Sequence, residues 1–338
     1  MLPTRSLGPF QVSAIGLGCM NLSHAYGQPP AFAQAEQLLL HALDSGVTLF
    51  DTAALYGFGA NEALVGQVLS PRRSRFTLAS KCGLHGVPCE DGKLKRVLDG
   101  RPATIKASCE ASLRRLRTDV IDLFYLHRWD KKVPIEDSVG AMAELVKQGK
   151  VRCLGLSEVS AGTLRRAHAV HPITAVQTEY SLWTRNPEIA VLDACRELGT
   201  AFVAFSPLAR GFLPGTLKDV SALVPTDLRR SMPRFAPEAY AANLTLLPAL
   251  QAIAGEADCS LAQLSLAWLL QRGEHVIPIP GTTQIAHLDE DLGATSVQLS
   301  EQQMARLDEI VNVASVQGGR YNAGSQAEVD TETFGEAG

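Results

Sequence analysis

The stretch Ile121-Asp122-Leu123-Phe124-Tyr125-Leu126-His127-Arg128 decides the fold. Residues 121–126 are largely apolar on both faces of a strand, as expected of a parallel strand covered on each side. The strand stops where two ionisable residues begin. The same alternation repeats outward in both directions. Short apolar runs at 15–18, 47–50, 76–80, 151–156, 173–176, 201–205 and 276–279 predict seven more strands. Segments of helical spacing at 33–44, 62–69, 104–116, 135–147, 163–170 and 189–198 separate them, and several stop at a glycine C-cap signal such as Gly46, Gly149 or Gly199. Strands interleaved with helices imply right-handed β/α units, and eight such units close into an α/β (β/α)8 TIM barrel.

Two regions depart from the alternation. A hairpin turning at Gly8-Pro9 precedes the first strand. Between strands seven and eight lies a long interval, 206–275. It holds helical stretches at 241–254 and 261–271 and a loop, 211–239, punctuated by Pro214, Pro225, Pro233 and Pro237. A loop of that length suggests a lid or a binding loop. No linker or repeat divides the chain, so one domain is expected over 1–338, with the polar, acidic residues 317–338 as a mobile tail.

Composition narrows the function classes. A hydrophobic fraction of 46% and a charged fraction of 20% are those of a soluble globular chain. A formal net charge of -4 leaves no basic footprint for nucleic acid and no polybasic face for a membrane. The seven cysteines are scattered and never spaced C-x-x-C, which predicts reduced thiols and neither a disulfide framework nor a zinc site. The N-terminus lacks the apolar core of a signal peptide, and no apolar run approaches the ~18 residues of a membrane helix. A cytoplasmic location is expected.

In a β/α barrel the active site lies at the carboxyl ends of the strands. Those ends carry Asp51 to Gly57, Lys81, His127-Arg128, Ser157-Glu158, Gln177 with Glu179-Tyr180, Ser206-Pro207-Leu208 and Pro280-Gly281-Thr282-Thr283. Asp51, Tyr56, Lys81 and His127 are chemically legible as a set. A phenol with a pKa of about 10 is a poor proton donor at neutral pH. A nearby ammonium lowers that value, and a carboxylate can hold the ammonium in place. An imidazole can polarise and orient a substrate carbonyl. Such a site suits an alkoxide forming from a carbonyl. No side chain supplies hydride, so a nicotinamide cofactor is implied. A metal-dependent hydrolase would need clustered His and Asp ligands, whereas His127 alone among the histidines stands at a strand end.

These residues belong to motifs in a fixed order over roughly 5–310: Gly16-Leu17-Gly18-Cys19-Met20, Phe50-Asp51-Thr52-Ala53 with Tyr56-Gly57, Ser80-Lys81, Tyr125-Leu126-His127-Arg128, Gly155-Leu156-Ser157-Glu158, Gln177 to Leu182, Ser206-Pro207-Leu208 with Arg210-Gly211, and Ile279 to Thr283. In them the chain resembles the aldo-keto reductase family, closest to the bacterial and plant perakine reductase-like branch. The resemblance implies NAD(P)H-dependent reduction of an aldehyde or ketone, with Tyr56 as general acid, Lys81 and Asp51 tuning it, and His127 orienting the carbonyl. It also implies a cofactor site. Ser157 and Gln177 would hold the carboxamide, with Glu158 beside them; Phe205 would stack on the nicotinamide, with Met20 lining the site. Ser206, Leu208, Arg210 and Gly211 would wrap the pyrophosphate. Pro280, Gly281, Thr282, Thr283, Gln284, His287, Glu290 and Asp291 would serve the adenosine end.

Three departures from the family pattern stand out. Glu158 replaces the Asn that many members carry, and Asp291 ends a segment that elsewhere ends Glu-Asn. Residues 281–287 contain no Lys or Arg, where NADPH-preferring members commonly place a cation for the 2′-phosphate. Thr282, Thr283, Gln284 and His287 can still bond that phosphate, so NADP is favoured as the family default, with NAD as the alternative. The resemblance also leaves open a cofactor-binding regulatory or sensing barrel with little turnover. Several residues carry two readings. Cys19 is expected to line the site, Trp129 and Trp183 either wall a substrate pocket or pack, and Arg320-Tyr321 either folds over the barrel mouth or belongs to a loose tail. His24, His85 and His168 are read as surface residues.

Overall fold

A computed structural model describes residues 2–23, 25–89 and 92–335. The chain starts with an antiparallel hairpin of β1 (Thr4–Leu7) and β2 (Phe10–Ser13). Then come β3 (Leu17–Gly18), β4 (Leu49–Asp51) and β5 (Thr77–Cys82). A second hairpin, β6 (Leu84–Pro88) with β7 (Leu94–Leu98), interrupts the series. It resumes with β8 (Ile121–Leu126), β9 (Val151–Ser157), β10 (Ile173–Glu179), β11 (Ala201–Phe205) and β12 (Val276–Ile279). Among the described residues eight strands share one parallel sheet in the order β12-β11-β10-β9-β8-β5-β4-β3. Its edges meet. Gly16 N–H donates to Pro278 O and Gly18 N–H to Pro280 O, each at 3.0 Å, which turns the sheet into a barrel. A Cβ on Gly18 would stand 2.9 Å from the Ile279 carbonyl, so this close approach requires glycine.

Helices α1 (Phe32–Asp44), α2 (Ala60–Leu69), α3 (Pro102–Leu116), α4 (Ile135–Lys147), α5 (Ala161–Val170) and α6 (Val191–Leu198) fill the crossovers. The interval before β12 holds α7 (Pro237–Leu244), α8 (Leu247–Glu256) and α9 (Leu261–Leu270). After it come α10 (Ile285–Gly293), α11 (Glu301–Ile310) and the short α12 (Ala323–Ala327). The stretch predicted as one helix over 241–254 is two, because Pro248 lacks an N–H and opens a new helix in the first turn of α8.

The pleat sorts each strand between two cores. Phe50, Leu78, Phe124, Leu154, Val176 and Phe202 point outward and pack with the helices. Burying a Phe such as Phe124 or Phe202 contributes roughly 1.5–3 kcal/mol each. Leu49, Ala79, Leu123, Cys153, Ala175, Val203 and Ile277 point inward and fill the barrel. Leu7 and Val12 of the first hairpin join that inner cluster. Arg5 of β1 donates to the Gly273 carbonyl at 2.7 Å, beside the start of β12, so the hairpin plugs the amino end and leaves the carboxyl end open.

The polar tail is not loose where it is described. Asp330 accepts from Ser160 N–H at 3.2 Å and Glu332 from Ala161 N–H at 2.8 Å, so two tail carboxylates cap the amino end of α5. The exposed amide donors and helix dipole favour anions there, which is where the acidic composition goes. Lys131 donates to the Val329 carbonyl at 2.9 Å, and Arg320 is buried in an ion pair with Glu158. The loop 211–239 is packed too. Phe212 stacks on Trp183 at 4.4 Å, and Leu228 N–H donates to Ala25 O at 3.0 Å. Among the described residues no helix is long and apolar enough to cross a membrane.

Candidate active site

Two residues beyond each inward apolar side chain, the same face reaches the open rim. Leu49 is followed by Asp51, Ala79 by Lys81, Tyr125 by His127, Ala175 by Gln177 and Val203 by Phe205. The period of two therefore aims all five side chains at one place. Tyr56 arrives from the loop after β4. Thr52 there donates to Asn61 Oδ1 at 2.6 Å, and Asn61 donates to Cys19 O at 2.8 Å, which ties that loop to the first strand.

The four side chains of the expected catalytic set come together. Lys81 Nζ is buried and forms an ion pair with Asp51 Oδ1. It also donates to Thr52 O at 2.8 Å and to the Tyr56 hydroxyl at 3.2 Å. The other Asp51 oxygen accepts from Gln177 Nε2 at 2.8 Å. The Tyr56 and His127 rings meet edge to face at 5.8 Å between centroids. Burial alone would lower the Lys81 pKa, but Asp51 and then Tyr56 outweigh it, and the ammonium is held above its ordinary value. For Tyr56 the expectation needs correcting. Burial is the largest influence and raises the phenol above its usual value, while Lys81 pulls the other way without winning. The phenol thus keeps its proton at neutral pH, and the lysine limits the cost of releasing it.

These groups open into a cavity of about 520 Å³, within the ~300–1,000 Å³ of small-molecule and cofactor sites. It runs from Tyr56 and His127 past Ser157, Gln177 and Phe205 to Pro280 and α10. Of the expected cofactor residues, Met20, Ser157, Gln177, Phe205, Ser206, Leu208, Arg210, Gly211, Pro280, Gly281, Thr282, His287, Glu290 and Asp291 line it. Ser206, Ala209, Arg210 and Gly211 adopt left-handed backbone (φ 49°, 51°, 57° and 91°), a tight coil that turns 206–211 into the cavity wall. Left-handed non-glycine residues cost roughly 1–3 kcal/mol each and collect at ligand clamps.

Three expected cofactor residues lie elsewhere. Glu158 turns from the cavity, accepting from Glu179 N–H at 2.9 Å and pairing with Arg320. Its position beside Ser157 in sequence hides a left-handed backbone (φ 57°) that redirects the side chain. Thr283 accepts from Gln34 Nε2 at 2.9 Å through its carbonyl, and Gln284 caps α10 without lining the cavity. Cys19 is buried and is not part of the lining, and neither are Trp129 and Trp183. Trp183 packs on Phe212, and Trp129 donates to Val133 O at 2.8 Å. His85 and His168 are half-buried, and His24 lies outside the described residues.

Of the Arg320-Tyr321 pair, Tyr321 does reach the barrel mouth and lines the cavity, whereas Tyr26 and Arg229 were not marked by the sequence. Tyr26, from the first loop, and Tyr321, from the tail, meet over Arg210, accepting from its guanidinium at 3.0 and 3.3 Å. Arg210 also pairs with Glu179 at 2.6 Å. Burial would raise the Glu179 carboxyl, but Arg210, Arg320 and Arg234 together keep it below its usual range. Arg229 reaches the cavity from the long loop and donates to Arg210 O at 3.1 Å. Arg128, expected at a strand end beside His127, lines it as well. At the far end the buried Asp291 carboxylate has no ion-pair partner among the described residues, and burial, with Glu290 adding to it, pushes its pKa up to about 8.

Known proteins resemble this chain in sequence and fold. A family model for the aldo/keto reductase family matches residues 14–312. A Glycine max relative named probable aldo-keto reductase 1 is 44% identical over 317 residues, covering 93% of this chain and 90% of the relative. A solved glycerol dehydrogenase from Gluconobacter oxydans superposes with a TM-score of 0.85 at 27% identity, covering 95% of this chain and 98% of that one. An aldo/keto reductase from Klebsiella pneumoniae, solved in complex with NADP and acetate, gives a TM-score of 0.68 at 28% identity over 95% of this chain and 99% of that one.

Proposed function

The chain belongs to the aldo/keto reductase family and is an oxidoreductase, and from that premise we propose that it reduces an aldehyde or ketone to the alcohol with Tyr56 as proton donor. The family uses a nicotinamide cofactor, which when bound supplies the hydride for the carbonyl carbon. The observation that carries the reading is the 3.2 Å contact of Tyr56 with a Lys81 that Asp51 and Thr52 hold in place.

Each residue then has one task. His127 orients the substrate carbonyl beside the Tyr56 ring. The Tyr56 hydroxyl hands its proton to the carbonyl oxygen, and the Lys81 ammonium stabilises the phenolate left behind. Gln177 steadies Asp51 with an amide N–H and lines the cavity with Ser157, where the pair would hold the carboxamide. Phe205 backs the nicotinamide, Ser206, Leu208, Arg210 and Gly211 surround the pyrophosphate, and 281–291 serve the adenosine. NADPH is the favoured donor, and Thr282 and His287, which line the cavity, are the residues that would bond its 2′-phosphate. The lack of Lys or Arg over 281–287 supports NADH as the second reading. The same proposal keeps the chain in the perakine reductase-like branch, supported by Ser157-Glu158 and by the plant relative.

Fluorescence titration with NADPH and NADH, followed by a carbonyl panel with the tighter one, tests the reading. Tighter NADPH binding is expected, and tighter NADH binding overturns the preference. Tyr56→Phe should lower kcat about 10²–10⁴-fold; a variant that retains full activity sinks the mechanism.

A further inference from the structure

Four arginines line the cavity among the described residues: Arg96, Arg128, Arg210 and Arg229. Three are neutralised by a carboxylate. Arg96 pairs with Glu328, Arg210 with Glu179 at 2.6 Å, and Arg229 with Asp227 at 2.7 Å. Arg128 has no carboxylate within ion-pair distance among the described residues. It sits at the carboxyl end of β8, beside His127, and is only partly exposed. Its Nη1 donates to the His127 carbonyl at 2.6 Å and to Ser157 Oγ at 3.2 Å, which fixes the plane of the group. The opposite edge, Nε with Nη2, makes no hydrogen bond to the described residues. After burial, Lys81 and Asp51, Arg128 is the next influence on the Tyr56 hydroxyl, so the guanidinium stands within electrostatic reach of the proton donor.

A half-buried guanidinium is costly without an anion, and its planar fork matches a carboxylate in two parallel hydrogen bonds. We propose that Arg128 selects the substrate, and that the substrate is an aldehyde or ketone carrying a carboxylate, which the free Nε–Nη2 edge takes while the carbonyl faces Tyr56 and His127. The inference rests on the carbonyl-reductase reading. It assigns the cavity's one unneutralised arginine, among the described residues, to the part of the substrate that does not react.

The test compares 4-carboxybenzaldehyde with 4-nitrobenzaldehyde under saturating cofactor, for the wild type, Arg128→Gln and Arg128→Lys. Removing a charged, bidentate hydrogen bond from this site should lower the ratio of the two kcat/KM values by about ten- to a hundredfold in R128Q, chiefly through KM for the carboxylated aldehyde. R128K keeps the charge without the fork and should recover part of the ratio. Because each enzyme is its own reference, a general loss of activity does not mimic the result. Calorimetric binding of 4-(hydroxymethyl)benzoate to the same enzymes gives a readout independent of turnover, and its Kd should rise at least tenfold in R128Q. An unchanged ratio, or an unchanged Kd, overturns the role of Arg128. A wild type that binds this carboxylate through Arg128 but reduces neither aldehyde with either dinucleotide would instead refute the reductase reading.

Discussion

Asp51 and Asp291 are both 2% exposed, and both face the same cavity, yet their surroundings are opposite. Asp51 lies against the Lys81 ammonium and the Gln177 amide. Asp291 has Glu290 for a neighbour and no cation, and its carboxyl is pushed up to about 8. At the Tyr56 end the buried Asp51–Lys81 pair is thus compensated within the chain before any ligand arrives. The α10 end leaves a buried carboxyl to be neutralised by a proton or by what binds there. Preorganised charge belongs where charge develops during a reaction, because reorganising it then would add to the barrier. A site that only binds can leave groups for its ligand to satisfy.

The largest effect should come from breaking the compensated end. Lys81→Met strands Asp51 as a buried, uncompensated carboxylate, which should cost about 3–5 kcal/mol of stability in a denaturant or thermal melt. A loss below about 1 kcal/mol would mean that the ion pair is not what holds this end together. A smaller effect is expected at the other end. His287→Arg places a permanent cation beside Glu290 and Asp291, and should shift the NADPH-to-NADH affinity ratio toward NADPH by about tenfold. No shift would show that the 2′-phosphate lies elsewhere.

An effect of comparable size depends on pH. Asp291 has a folded pKa raised to about 8, so the folded state binds its proton more tightly than the unfolded one. Its contribution to stability is full below the unfolded value of about 4 and is lost as pH rises through 8. Asp291→Asn cannot ionise. Its melting temperature should therefore fall less than that of the wild type between pH 6 and pH 9, by roughly 2–4 °C for each kcal/mol involved. Parallel profiles would show that Asp291 is already neutralised by other means.

Much of the rim was legible in advance because it depends on local rules. A strand of period two that ends in Asp51, Lys81 or Gln177 aims that residue as it aimed the apolar one before it. Glu158 was not legible, since one left-handed residue sends its carboxylate to Arg320, 162 positions away. The β6–β7 hairpin escaped because its strands alternate weakly and lie largely at the surface. The tail escaped because its acidic residues resemble solvated ones until α5 presents its amino end.

The eight parallel strands, their β/α connection into a barrel and the strand-end placement of Asp51, Lys81 and His127 were legible along the chain, because they follow from hydrophobic period and connectivity. The balance of charges was settled in three dimensions. Burial outweighs Lys81 at Tyr56, Asp291 stands without a cation, and Arg128 alone of the described cavity arginines has no carboxylate. Hydrophobic period is a property of neighbouring residues in the chain. The energy of a charge depends instead on every group around it and on how much water is excluded, and folding alone brings those together.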